Sequence, residues 1–327
     1  MLLQGKRWPV CYNASGARGF FGEGYAFHRP WKKIGLNYAG SCFVAKTTTL
    51  GPRAGNMPLD ERYRPKELFP SCIVVKFRKG AVLNAVGLSG PGVDELIGAA
   101  GHSGWLNSPR KEPWVVSFMS VASSGPERVK EAEKFFAKLR VMSHEKIALQ
   151  INLSCPNTSV DHRDEQELIR EAHATLDAVR PLRELQRVPI LVKLSPVATP
   201  AAGCLIAAHA SCDAIVMGNT VPWGKLPEEI DWKGLFGSEV SPLTRLGGGG
   251  LSGAPLLPIV SRWLIKARAL GLDKPIVAGG GVLSTLGAER LIQSGASAIE
   301  LGTISILRPW RVHKVIQHVN YRLGETP

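Results

Sequence analysis

Eight short apolar runs, spread along the whole chain, constrain its fold more than any other feature. They cover residues 9–12, 42–46, 114–119, 147–153, 189–194, 213–217, 275–278 and 298–301. Most are apolar throughout instead of alternating, the pattern of strands buried on both faces. Several are separated by stretches of helical period. Residues 126–141 put Val129, Ala132, Phe135, Phe136 and Leu139 on one stripe, with charges opposite. Residues 165–182 repeat the pattern with Leu168, Ile169, Ala172, Leu176 and Val179, and 254–270 and 285–294 are further candidates. Strands alternating with helices predict βαβ units and a parallel sheet. Eight such strands in 327 residues predict an α/β fold, a closed (β/α)8 TIM barrel forming one domain over 1–327. Residues 50–68, rich in Pro, Gly and Arg, and 238–250, ending in four glycines, break the alternation. Both are expected as irregular insertions at the C-terminal face of the strands, where barrels build their sites.

Composition excludes several classes. With 44% hydrophobic and 20% charged residues, the chain is neither disordered nor a coiled coil. It holds no run of about 18 uncharged apolar residues, so no membrane span is expected. The stretch from Met1 to Pro9 has no apolar signal-peptide core, which predicts a cytoplasmic protein. Residues 1–80 hold 14 Lys/Arg and 4 Asp/Glu, +10 of the overall +13. These cations are scattered, which suits a basic rim around an anion site better than a nucleic-acid surface. The six cysteines show no C-x-x-C spacing and no zinc-finger histidines, so free thiols and no metal are expected.

Glycine clusters mark the C-terminal part: Gly247-Gly248-Gly249-Gly250-Leu251-Ser252-Gly253, Gly279-Gly280-Gly281-Val282 and Gly302-Thr303. The last two follow the seventh and eighth runs, where barrels commonly bind phosphate through main-chain N–H groups. The spacings match neither a P-loop nor a dinucleotide fingerprint, which leaves a mononucleotide as the expected ligand. In the centre, Asn152-Leu153-Ser154-Cys155-Pro156-Asn157 ends a strand, because Pro156 forbids its continuation. Asn152 and Asn157 can both donate to and accept from a cyclic amide, and Cys155 beside them is either a general base or a structural thiol. Lys46 and Lys193 each stand in an apolar strand, where an unpaired charge is costly, so both are expected to face a common anionic ligand. Asn84, Asn219 and Thr220 add polar groups at or near predicted strand ends.

From Asn13-Ala14-Ser15-Gly16 to Gly302-Thr303 the chain resembles the dihydroorotate dehydrogenases, FMN-dependent barrels of pyrimidine synthesis. Asn-Leu-Ser-Cys-Pro-Asn at 152–157 is the most specific block. The stretch from Lys46-Thr47-Thr48-Thr49 to Gly55-Asn56, Asn84-Ala85-Val86-Gly87-Leu88 and Gly249-Gly250-Leu251-Ser252-Gly253 also resemble family blocks. Cysteine at 155 is similar to the soluble class 1 enzymes; class 2 enzymes carry serine there. The resemblance implies that Cys155 removes the C5 proton of dihydroorotate while FMN takes the C6 hydride. It implies a substrate site of Lys46, Asn84, Gly87, Leu88, Asn152, Asn157, Asn219 and Thr220. It implies a flavin site of Ala14, Ser15, Gly16, Lys46, Thr47, Ser117, Asn152 and Lys193, with Lys193 at the N1–O2 edge. Gly253, Gly280, Gly281, Gly302 and Thr303 would hold the phosphate. One departure stands out: the family usually has Asn two residues after Gly87-Leu88, and this chain has Gly90, which leaves room for a modified substrate.

The resemblance also implies a homodimer using fumarate, or an iron–sulfur flavoprotein partner passing electrons to NAD⁺. Asn84-Ala85-Val86-Gly87-Leu88 and Gly250-Leu251-Ser252-Gly253 are closer to the second group, and the acceptor, quinone included, stays open. A tRNA dihydrouridine synthase is the competing flavin barrel, but Asn157 after the proline and the lack of a His-Gly-Arg-Thr-like segment argue against it. Dihydropyrimidine dehydrogenase chemistry would need cysteine-rich iron–sulfur domains. A non-catalytic flavin protein would have no use for Cys155 between two asparagines.

Overall fold

A computed structural model describes residues 1–98, 104–107, 110, 112–142, 146–153 and 164–324. Eight parallel strands form the barrel: β1 (Cys11–Asn13), β2 (Phe43–Val44), β3 (Trp114–Phe118), β4 (Ile147–Asn152), β5 (Ile190–Leu194), β6 (Ala214–Met217), β7 (Ile276–Ala278) and β8 (Ala298–Leu301). Each falls on one of the eight apolar runs, and the buried side chains of Val115, Leu149, Val192 and Ile215 explain why those runs do not alternate. Pairing follows chain order from β2 through to β8, and β8 pairs back onto β1.

The ring closes between β1 and β2 through a single bridge, Tyr12 to Cys42. The Cys42 N–H donates to the Cys11 carbonyl at 2.7 Å, and the Asn13 N–H to the Cys42 carbonyl at 3.1 Å. The buried Asn13 side chain extends this short ladder. Its Nδ2 donates to the Val44 carbonyl at 2.9 Å, and its Oδ1 accepts from the Val44 N–H at 3.3 Å. A side-chain amide thus stands where further strand rungs would be.

Seven helices of six residues or more are described: α1 (Val93–Gly98), α2 (Gly125–Leu139), α3 (Glu165–Gln186), α4 (Pro200–Ala208), α5 (Leu256–Ala269), α6 (Thr285–Gln293) and α7 (Val312–Leu323). Four start where a short polar residue accepts from the first turn: Ser124 for α2, Asp164 for α3, Thr199 for α4 and Ser284 for α6. Ser124 and Glu127 complete a capping box. α3 continues past the expected end at 182, through Pro181 to Gln186. α1, α4 and α7 were not expected. α4 is almost uniformly apolar and shows no stripe, whereas α7 carries a readable one in Val312, Val315, Ile316 and Val319, all buried.

A second sheet lies outside the barrel. Its four strands, Val221–Pro222, Gly250–Gly253, Ala81–Asn84 and Ile73–Lys76, pair antiparallel in that order. They belong to the excursions after β2 and β6, so they stand on the C-terminal side of the barrel. Leu83, Val221, Trp232, Phe236, Leu243 and Leu251 form their own apolar cluster. Residues 50–68 hold no helix or longer strand, as expected, yet they are pinned. Arg53 and Gly90 exchange main-chain hydrogen bonds at 2.8 Å, and Asn56 Nδ2 donates to the Ala85 carbonyl at 2.7 Å. No described helix is long and apolar enough to cross a membrane.

Candidate active site

A cavity of about 480 Å³ opens at the C-terminal ends of the strands, within the usual range of small-ligand sites. Its walls are the residues that follow β1, β2, β6, β7 and β8, together with side chains from β4, β5 and β8 and the 84–88 segment. Lys46, Asn84, Gly87, Leu88, Asn152, Lys193, Asn219 and Thr220 all line it, as do Ala14, Ser15, Gly16 and Thr47.

The floor is a polar network with one internal direction. Ser15 Oγ donates to the Ala45 carbonyl at 3.0 Å, so it must accept from Thr47, whose Oγ1 lies at 2.8 Å. Thr47 Oγ1 then accepts from Ser117 Oγ at 2.9 Å, and Ser117 Oγ accepts from Gln150 Nε2 at 2.9 Å. Every hydroxyl is satisfied, as burial demands. Ser117, expected at the flavin, sits behind Thr47 and does not line the cavity. Asn219 Nδ2 donates to Asn152 Oδ1 at 2.9 Å, while Asn219 Oδ1 accepts from the Thr220 N–H at 2.9 Å. Both amides are therefore fixed in orientation, and Asn152 Nδ2 faces Thr47 Oγ1 at 3.5 Å.

The two strand lysines have different company. Lys46 Nζ donates to the Ser89 carbonyl and lies 4.8 Å from the centre of the Phe20 ring. Lys193 Nζ meets both carboxylate oxygens of Glu300, at 2.9 and 2.8 Å. Lys193 and Glu300 are 4% and 3% exposed, and both line the cavity. Glu300 is the main residue that sequence reading missed. The signal was present, a carboxylate inside the apolar run Ala298-Ile299-Glu300-Leu301.

The far end is main chain. Gly280, Gly281, Gly302 and Thr303 line it, just past β7 and β8. Among the described residues, the N–H groups of Gly280, Gly281 and Thr303 make no hydrogen bond to the rest of the main chain. Gly281 is buried with φ +82°, and a Cβ there would come 2.7 Å from the Leu257 nitrogen and 2.9 Å from the Gly253 carbonyl oxygen. Unpartnered N–H groups over a side-chain-free surface suit a phosphate. Gly253 does not line the cavity. It pairs with Ala81, and a Cβ on it would strike the Gly80 carbonyl. Gly247, Gly248 and Gly249, all at positive φ, turn the chain against Trp223, Leu243 and Asn84 and into that strand.

Near the mouth, Leu88 follows Gly87 in the left-handed region, at φ +60°. The bend presents the Gly87 carbonyl to Arg53 Nε at 2.8 Å. Gly90 has a physical reason: a Cβ would meet the Phe20 ring at 2.9 Å, so that ring occupies the side-chain space.

Cys155 and Asn157 lie outside the described residues. The other five cysteines are free, and burial raises every thiol: Cys11 and Cys212 to about 12, Cys42 further still, and Cys72 and Cys204 by smaller amounts. None of these five lines the cavity.

Comparison with known proteins covers nearly the whole chain. The family model for dihydroorotate dehydrogenase matches residues 10–323. The chain is 31% identical over 307 residues to "Dihydroorotate dehydrogenase B (NAD(+)), catalytic subunit" of Streptococcus pneumoniae (strain ATCC BAA-255 / R6), covering 94% of this chain and 86% of the relative. It is 29% identical over 290 residues to the "Putative dihydroorotate dehydrogenase A (fumarate)" of Pediococcus pentosaceus, covering 88% and 83%. The crystal structure of the Eimeria tenella enzyme in complex with ferulenol matches with a TM-score of 0.67 at 20% identity, over 99% of this chain and 84% of that one, and shares the fold.

Proposed function

The chain belongs to the dihydroorotate dehydrogenase family, class 1 type, and on that premise we propose that residues 1–327 work as one FMN-binding barrel with Cys155 as its base. It is an oxidoreductase that oxidises dihydroorotate to orotate in pyrimidine biosynthesis. One observation carries the site assignment: Lys46, Asn152, Asn219 and Lys193 line the same cavity that ends on bare glycine main chain.

The residues present fit FMN, through the open N–H groups of Gly280, Gly281 and Thr303 at the phosphate end and the polar floor of Ser15, Thr47 and Asn152. Bound there, FMN supplies the acceptor for the hydride leaving C6 of the substrate. Lys46, with its ammonium fixed by Ser89 and Phe20, holds the substrate carboxylate. The Asn152–Asn219 pair presents amides already turned to read the ring, which removes part of the ordering cost of binding. Asn84, Thr220, Gly87, Leu88 and Asn157 complete the substrate wall. Cys155 Sγ, as thiolate, takes the C5 proton. Lys193 serves the pyrimidine edge of the flavin. The relatives named as B-type catalytic subunits support a separate partner subunit, and the relative named for fumarate supports fumarate as the other electron acceptor.

The test is Cys155→Ala. The variant keeps flavin, and its reduction by dihydroorotate slows by about 10²–10⁴-fold. In the wild type, anaerobic stopped-flow reduction rises with pH through the ordinary thiol range, around 8.5, and Cys155→Ser moves that rise higher. Near wild-type reduction in Cys155→Ala, or a flat pH profile, removes the thiolate mechanism.

A further inference from the structure

The buried Lys193–Glu300 pair exceeds what packing requires. β5 and β8 are not neighbours, since β6 and β7 stand between them. The pair therefore crosses the inside of the barrel, with Nζ 2.9 and 2.8 Å from the two carboxylate oxygens. Burying two ions costs several kcal/mol each before their attraction is counted, and apolar or amide side chains of similar size would fill such a layer at lower cost. A carboxylate in that position has an electrostatic consequence for whatever occupies the cavity both residues line. Lys193 alone would present a full positive charge. With Glu300 against it, the cavity meets an ion pair, whose field falls off much faster with distance.

We infer that Glu300 sets the charge that Lys193 presents to the flavin, and so how firmly the pocket holds the negative charge of the reduced cofactor. This rests on the FMN reading above. In the reaction, a hydride carries two electrons from substrate C6 to flavin N5, and the substrate's C5 proton goes to Cys155. The flavin is left with one negative charge spread over its N1–O2 edge. An uncompensated lysine would stabilise that charge and retain the electrons. Glu300 offsets it, so the electrons pass on more readily to the next acceptor. Glu300 thus acts by offsetting the Lys193 charge in the field that the cavity presents.

Sulfite reads this field without turnover. It bonds through sulfur to flavin N5 with its own lone pair, and the displaced ring electrons settle as negative charge on the N1–O2 edge. Its dissociation constant, measured by bleaching of the yellow flavin, therefore reports the charge facing that edge. Glu300→Gln removes the charge and keeps the shape, and it tightens sulfite binding by about tenfold or more. Lys193→Met weakens it. In the double variant Lys193→Met/Glu300→Gln the two opposite shifts offset, and sulfite affinity returns toward wild type. Glu300→Asp draws the carboxylate back from Nζ and gives a smaller shift in the same direction, which serves if Glu300→Gln alone does not fold.

Sulfite affinity within twofold of wild type in both Glu300 variants overturns the inference. So does a double variant that binds sulfite as weakly as Lys193→Met alone, because the Glu300 charge would then not be felt at the flavin. A wild-type protein that binds FMN and sulfite but is not reduced by dihydroorotate sinks the proposed reaction and leaves the role of Glu300 standing. A chain that takes up no flavin overturns both.

Discussion

The two ends of the cavity are built from different material. The far end is backbone: Gly280, Gly281, Gly302 and Thr303, within three residues of the strand ends. The centre is side chain, and its groups hold one another across the barrel. Lys193 and Glu300 are 107 residues apart, and Asn152 and Asn219 are 67 apart. A backbone surface binds through shape and fixed dipoles, so it has little that one substitution can tune. A network of side chains carries charge and orientation, so each member can be altered alone and the neighbours will register it.

That contrast breaks most sharply at Lys46. Lys46→Ala should weaken orotate binding by a few hundredfold or more, about 3–5 kcal/mol, while FMN affinity changes far less. Titrating each ligand by flavin absorbance separates the two, and an unchanged orotate constant removes Lys46 from the substrate site. At the other end, Gly281→Ala should act sterically. Its φ of +82° is costly for alanine, and the new Cβ would press on main-chain atoms of Leu257 and Gly253. A loss of about 2–3 kcal/mol in stability, with weaker FMN binding, is expected from thermal unfolding and flavin titration. Thr47→Val deletes the middle of the hydroxyl chain and leaves Ser117 without its acceptor. A cost of about 1–2 kcal/mol by urea unfolding is expected, with Thr47→Ser close to wild type. The smallest effect is at Gly302, where φ is ordinary and an added Cβ meets only the Ala14 methyl at 3.1 Å. Gly302→Ala should cost under about 0.5 kcal/mol. A large loss there would mean that the glycine end is tighter than its contacts indicate.

The same contrast explains what could be read from the sequence. The eight strands were legible because two-sided burial leaves a local mark, an uninterrupted apolar run. The glycines after β7 and β8 were legible because a backbone surface needs no distant partner. Lys46 and Lys193 were visible as charges in apolar strands, but what each one faces was not. Glu300 lies three strands from Lys193 in the sheet order, and only the closed ring brings the two together. The outer four-stranded sheet was missed for a related reason. Its pairing of Asn84 with Gly250 joins two excursions 166 positions apart, and nothing local to either one names its partner. Gly253 adjoins the glycine end without lining the cavity, its carbonyl beside Gly281, and a strand residue pressed against a neighbouring carbonyl makes the same demand as a phosphate cradle, no side chain. Gly90 was read as leaving room for a modified substrate, and the sequence could not show that a Cβ there would meet the Phe20 ring at 2.9 Å.

The single-bridge closure between β1 and β2 gives the barrel a preferred place to part. A ring that yields at one seam becomes a ribbon, here with β1 and β2 as its free edges. The neighbouring seams hold two or more paired residues each, whereas this one has the single Tyr12–Cys42 bridge and is otherwise held by side chains, the Asn13 amide and the Ser15 hydroxyl bonded to the Ala45 carbonyl and to Thr47. The amide protons of Asn13 and Cys42 should therefore exchange with solvent ahead of those on the other barrel strands. Ala14, Ser15 and Gly16 ride on one edge of this seam, and Lys46 and Thr47 on the other. A molecule that touches both edges would add a staple to those side-chain bonds and should slow exchange first at the seam.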